Sequence, residues 1–173
     1  MDGYDTEVDQ ALAAITQLAR NGLSREALTA CERLLRKVPC CRAAWRLRAH
    51  LLARQHAWAA AIDSLAQASD PSAVPAVDLL CAGRWRLEAS DFYGAFATFS
   101  ALLGRGPEGP EADVRAWRGT ARLLRAVAAT ECGRHDDARR TMAALFADIG
   151  DADQPATLLR VHHAMYRACR ALG

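Results

Sequence analysis

A chain of 173 residues, 51% hydrophobic and 24% charged, is long enough to bury a core of its own without disulfide staples. Its formal net charge of +2 is too small to imply nucleic acid or an anionic membrane surface as partner. No run approaches the ~20 apolar residues of a membrane span, and the acidic opening MDGYDTEVDQ lacks the basic and apolar regions of a signal peptide.

Six cysteines, Cys31, Cys40, Cys41, Cys81, Cys132 and Cys169, follow no disulfide framework. Reduced, mostly packed thiols and a cytoplasmic location are therefore expected. Basic character rests on arginine, because Lys37 is the sole lysine.

Sustained period-2 alternation is absent, and apolar residues recur at steps of three and four among strong helix formers. The first helix is predicted over 6–20 on the stripe Val8, Ala11, Ile15 and Leu18, with Thr6 and Asp9 resembling a capping box. Asn21-Gly22 stops it. The second runs over 24–37, with Ala27, Cys31, Leu34 and Val38 on one face and Pro39 beyond. The third and fourth, 42–55 and 57–69, meet at Gln55-His56 and close at Asp70-Pro71. The fifth and sixth, 74–89 and 92–103, meet at Ser90-Asp91, where Asp91 can cap the helix that follows.

Past the loop GRGPEGP, a seventh helix is predicted over 111–132 along Val114, Trp117, Ala121, Leu124 and Ala128. An eighth follows over 135–149, its HDD start favoured by the helix dipole. Pro155 opens a ninth, 155–172, with an apolar stripe of Leu158, Val161, Met165, Ala168 and Leu172. Its outer face carries Arg160, His163, Arg167 and Arg170. No low-complexity tract or long linker divides these elements, so one all-α domain over 1–173 is expected.

The helices pair, and the pairs repeat. Ala27, Ala61 and Ala95 stand 34 residues apart, each early in the second helix of a pair. Four residues after them come Cys31, Leu65 and Phe99. A small residue lets two antiparallel helices approach, and the larger one a turn later fills the gap to the neighbour. A fourth copy places Ala138 and Met142 at the same stations, 43 residues on instead of 34. The repeats then run about 8–41, 42–75, 76–110 and 111–152.

A period of ~34 residues in helix–turn–helix units resembles the tetratricopeptide-repeat family, in degenerate form. Ala11 stands where the second unit has Trp45, Arg48 where a leucine is expected, and Arg86 where an aromatic is expected. The resemblance implies an α-solenoid of antiparallel helix pairs, a superhelix with 155–172 as its capping helix. A homodimer contact is the competing role for that last helix.

In this family the first helix of each pair lines the concave groove. Carried over by position, the resemblance nominates Leu12, Thr16 and Arg20, then Arg46, His50 and Arg54, then Leu80, Arg84 and Leu87, then Leu123, Val127 and Glu131. Arginines in the first half suit carboxylates, which the guanidinium grips in bidentate fashion. The implied function is an adaptor or scaffold that binds an acidic-hydrophobic peptide or partner helix. A secretion chaperone holding an export substrate and a structural subunit of an obligate complex are the alternatives. The lysine-and-asparagine clamp for a chaperone's C-terminal carboxylate is not expected, because Arg46 and His50 occupy two of its places.

Catalytic chemistry finds no foothold. Adjacent Cys40-Cys41 are poorly placed to chelate one ion together, and no CxxC occurs. His162-His163 point about 100° apart on a helix and cannot share a metal. No GxSxG, P-loop or dinucleotide fingerprint appears. No enzyme, no cofactor and no metal are expected.

Overall fold

The computed structural model describes the backbone of residues 2–68, 74–105 and 111–149, and within it the side chains of 6–68, 74–105, 118–145 and 147. Among the described residues eight helices form: α1 (Asp2–Arg20), α2 (Ser24–Lys37), α3 (Arg42–Ala53), α4 (Trp58–Ala68), α5 (Ala76–Glu88), α6 (Phe92–Leu103), α7 (Glu111–Glu131) and α8 (His135–Ile149). No strand occurs among the described residues, and no described helix is long and apolar enough to cross a membrane. The segment 155–172, with its proposed capping and dimer roles, lies outside the described residues, as do His162-His163 and Cys169.

Periodicity located the elements well, with one correction at the start. Helix α1 begins at Asp2, so Thr6 sits inside it and cannot act as a cap. The acids of the opening residues suit the positive end of a helix dipole and favour these extra turns. Asp91 does cap α6, its carboxylate accepting from the Gly94 amide at 2.9 Å.

The helices gather into two compact units, Met1–Pro75 and Ala76–Gly173. In the first, α1 packs on α2, α2 on α3 and α3 on α4, and α1 also touches α3. In the second, α5 packs on α6, α6 on α7 and α7 on α8, and α5 also touches α7. Each unit is thus two helical hairpins whose first helices lie side by side.

Equivalent places in the four hairpins hold equivalent backbone. Gly22, His56, Ser90 and Gly133 all adopt the left-handed conformation, with φ of 81°, 59°, 58° and 72°. Their spacings of 34, 34 and 43 residues match those of the marker alanines. After each, an amide reaches back five residues: Leu23 to Leu18, Ala57 to Leu52, Asp91 to Arg86 and Arg134 to Ala129, at 2.7–3.0 Å. This is the Schellman ending of a helix, which satisfies its last carbonyls and reverses the chain. His56 and Ser90 occupy a conformation that costs an L-residue ~1–2 kcal/mol. Ser90 is exposed, so Ser90→Gly is expected to raise stability by ~0.5–1 kcal/mol after glycine's entropy cost, read by thermal unfolding.

The marker residues pack as their sizes dictate. Ala27, Ala61 and Ala95 are wholly buried, as are Cys31 and Phe99, and Leu65 is nearly so. Across from them, on the first helix of each hairpin, the residue also varies. Ile15, Ala49 and Gly83 stand 34 apart and are all buried. Ile15 goes with Cys31, Ala49 with Leu65 and Gly83 with Phe99, so bulk absent from one helix is supplied by the other. A Cβ on Gly83 would lie 2.5 Å from the Phe99 ring, which shows how close that approach is.

A second device recurs three residues after the marker. Ser64, Thr98 and Thr141 are buried hydroxyls, each donating to the carbonyl four residues back at 2.7 Å. Each also accepts from an arginine on the first helix of its own hairpin: Arg48 (2.5 Å), Arg86 and Arg125 respectively. One hydroxyl thereby uses both its donor and an acceptor lone pair in the interior. Arg48 and Arg86, which depart from the repeat pattern, are thus fasteners between the helices of a hairpin. Arg48 also lies over the Trp45 ring at 5.7 Å, while the Trp45 indole N–H donates to the Pro39 carbonyl at 2.8 Å.

Candidate functional site

The stretch CRAAWRLRAHLLARQHAW builds one side of the candidate site. Helix α3 buries Ala44, Ala49, Leu51, Leu52 and Ala53. The four-residue spacing of Arg46, His50 and Arg54 puts these three on one stripe away from that core. On α1 the same spacing aligns Leu12, Thr16 and Arg20. Helices α1 and α3 touch, and the Arg54 guanidinium ties their C-terminal ends by donating to the Ala19 carbonyl at 3.0 Å.

The face this creates has a definite chemistry. Leu12 is half-buried against the core of its unit and forms an apolar floor. Thr16 spends its hydroxyl on the Leu12 carbonyl at 2.8 Å. Arg20, His50 and Arg54 are exposed and Arg46 is half-buried. The set holds three guanidiniums, an imidazole and no carboxylate of its own. Such a face can receive carboxylates through charge-assisted hydrogen bonds while Leu12 packs against an apolar side chain.

The second unit departs from expectation. Leu80 is half-buried against its unit's core, Arg84 and Glu131 are exposed, and Val127 is half-buried. Leu87 and Leu123, nominated as groove residues, are 5% and 4% exposed and are core residues instead. The reason is packing: α5 touches α7, and Leu87 joins the core cluster together with Phe99 and Ala128. Leu87 thereby packs into its unit's core, and both side chains have almost no surface left to offer.

Charge on α8 is largely neutralised within the helix. Asp137 accepts from Arg140 at 2.7 Å and from Arg134 at 2.6 Å, and Asp136 pairs with Arg139. The hydrogen bonds from Arg140 and Arg134 hold the Asp137 carboxyl below the usual carboxylate range. The Arg134 and Arg125 guanidiniums also lie over the Phe96 ring, at 4.3 and 4.5 Å.

The thiols are unpaired among the described residues, and no cluster there could hold a metal ion. Cys31 donates to the Ala44 carbonyl at 3.1 Å, and burial pushes its thiol up to about 11. Cys40 is exposed in the turn before α3. A thiol reagent near neutral pH is expected to modify Cys40 in the folded protein and to spare Cys31, as read by mass spectrometry of peptides. The sign of the pH effect follows from the raised value. Stability owed to burying neutral Cys31 is intact below the ordinary 9.0 and is lost as pH rises toward about 11.

Sequence reasoning missed the arginine–hydroxyl fasteners. Their one signal is a Ser or Thr three residues after Ala61, Ala95 and Ala138, which gains meaning only when an arginine is seen opposite.

No protein-family model and no curated protein matches the sequence. Among solved structures the chain is similar to MamA, a tetratricopeptide-containing protein. A mutant of MamA shares 17% identity over 85% of this chain and 80% of that one, with a TM-score of 0.67. MamA MSR-1 shares 16% identity over 87% and 83%, with a TM-score of 0.66. The likeness shows the fold: all-α, built from antiparallel helix pairs in the manner of tetratricopeptide repeats.

Proposed function

We propose that this protein is a non-enzymatic scaffold that recognises a protein partner through an acidic-hydrophobic peptide or helix. The receiving surface is the paired first-helix face of the Met1–Pro75 unit. What supports it is that Arg20, Arg46, His50 and Arg54 belong to two helices in contact, α1 and α3, whose ends Arg54 joins at the Ala19 carbonyl. Apolar contacts supply most of the affinity in such a site, and the guanidiniums set register and reject basic sequences. Free thiols suit a reducing, cytoplasmic setting.

Charge reversal tests this reading directly. Arg54 is a poor choice, because its bond to the Ala19 carbonyl makes it part of the framework. Arg20→Glu with Arg46→Glu reverses the charge on both helices of the face. The protein, tagged and expressed in its native cell, is expected to retain a defined set of partners that the double variant loses while its helical content is unchanged. Retention of the same partners by the variant would remove this face from the function.

A further inference from the structure

The first hairpin lacks the fastener found in the other three. Where the second hairpin has Trp45, Arg48 and Ser64, the first has Ala11, Ala14 and Ala30. Between α1 and α2 lies an open depression of about 590 Å³, lined by Ala11, Ala30, Arg33, Leu34, Arg36 and Lys37. Its floor is small and apolar, and its rim is cationic.

Arg33, Arg36 and Lys37 are exposed, and none of their side chains makes an ion pair or hydrogen bond with another described residue. Among the described side chains of α1, the exposed acids Glu7 and Asp9 make no ion pair with them. A cation in the last turn of α2 complements the helix dipole. That accounts for one charge, but not for three around an apolar floor.

The unit contains its own example of what such a flank receives. Helix α3, a first helix like α1, receives α2 against one of its flanks. Cys31 of α2 donates to the Ala44 carbonyl at 3.1 Å, and Glu32 of α2 pairs with Arg48 at 3.5 Å. A helix seated on a first-helix flank, with an acid on the flank's cation, is the packing this fold already uses.

We propose that the depression between α1 and α2 docks an acidic amphipathic helix of a protein partner. Small apolar side chains of that helix rest on Ala11, Ala30 and Leu34, and its carboxylates engage Arg33, Arg36 and Lys37. This surface shares no residue with the face around Arg46, so the two sites can be occupied and lost separately.

The probe is a synthetic Ala/Leu/Glu helix of about 18 residues, titrated onto the full chain by fluorescence anisotropy. Saturable binding is expected, weakened at least about tenfold by Arg33→Glu with Lys37→Glu. An Ala/Leu/Lys counterpart should bind that variant and not the original protein. Ala30→Arg, which fills the floor, should also block the acidic helix, with circular dichroism confirming that the variant folds. Arg20→Glu with Arg46→Glu should leave this binding unchanged. The proposal is overturned by absent or unsaturable binding, by equal binding to the Arg33/Lys37 variant, or by dependence on Arg20 and Arg46. Sedimentation showing a dimer that Arg33→Glu dissolves would also overturn it, since a second copy would then be the occupant.

Discussion

Gly83→Ala is expected to destabilise the Ala76–Gly173 unit by about 1–3 kcal/mol, even though alanine is the better helix former by about 1 kcal/mol. The added methyl would sit 2.5 and 2.6 Å from two Phe99 ring atoms. Phe99 has no exposed surface, so its ring cannot swing aside without moving other core groups. The remedy is contained in the chain. The second hairpin carries Ala49 and Leu65 at the corresponding positions, a larger residue facing a smaller one. Phe99→Leu in the Gly83→Ala background imports that pair and is expected to recover most of the loss. Phe99→Ala alone should cost about 3–5 kcal/mol, because it leaves a cavity where the others leave none. Denaturant midpoints of the original protein, Gly83→Ala, Phe99→Leu and the double variant measure the coupling. Simple additivity of Gly83→Ala and Phe99→Leu would show that the two positions do not share one space.

Arg125→Met should cost about 2–3 kcal/mol, a large effect for a half-buried side chain whose methylene stem is retained. The guanidinium of Arg125 reaches two helices at once. Its Nε donates to Ser100 on α6 at 2.8 Å, and its Nη1 donates to Thr141 on α8. It also lies over Phe96. Burial lowers its proton affinity, with Asp137 opposing and Arg134 and Arg140 adding to the effect, yet an arginine stays charged at neutral pH. Thr141→Val removes only the hydroxyl and should cost about 1–2 kcal/mol, leaving one donor of the guanidinium without its buried acceptor. In a double-mutant cycle the pair should show a coupling of about 1 kcal/mol. A coupling near zero would mean that the contact is incidental, and that the recurrence of the fastener at Ser64 and Thr98 carries no energy.

The repeat is legible in the sequence because close helix crossing dictates a small residue, and Ala27, Ala61 and Ala95 are spaced as the crossings are. Gly22 and Gly133 announce their left-handed turns through local propensity. His56 and Ser90 do not, since packing of the flanking helices imposes that conformation against preference. Arg48 and Arg86 read as defects of the pattern because their acceptors, Ser64 and Thr98, lie on another helix. Leu87 and Leu123 read as groove residues because an apolar position on a first helix can serve a partner or the neighbouring hairpin alike. Only the burial of both decides for the neighbour. In the sequence, Arg33, Arg36 and Lys37 look like any solvated helix face. The openness of the depression they border depends on small Ala11 and Ala30, and among the described residues no acid pairs with its rim.

Site-specific photo-crosslinking in the native cell tests the scaffold reading most directly. A crosslinking amino acid is placed at exposed His50 on the first-helix face, and in a second protein at exposed Ala59 on α4 of the same unit. A discrete protein adduct from position 50 that Arg46→Glu suppresses, with none from position 59, is the predicted result. Equal adducts from both positions, or an adduct at 50 that is indifferent to Arg46, would contradict it.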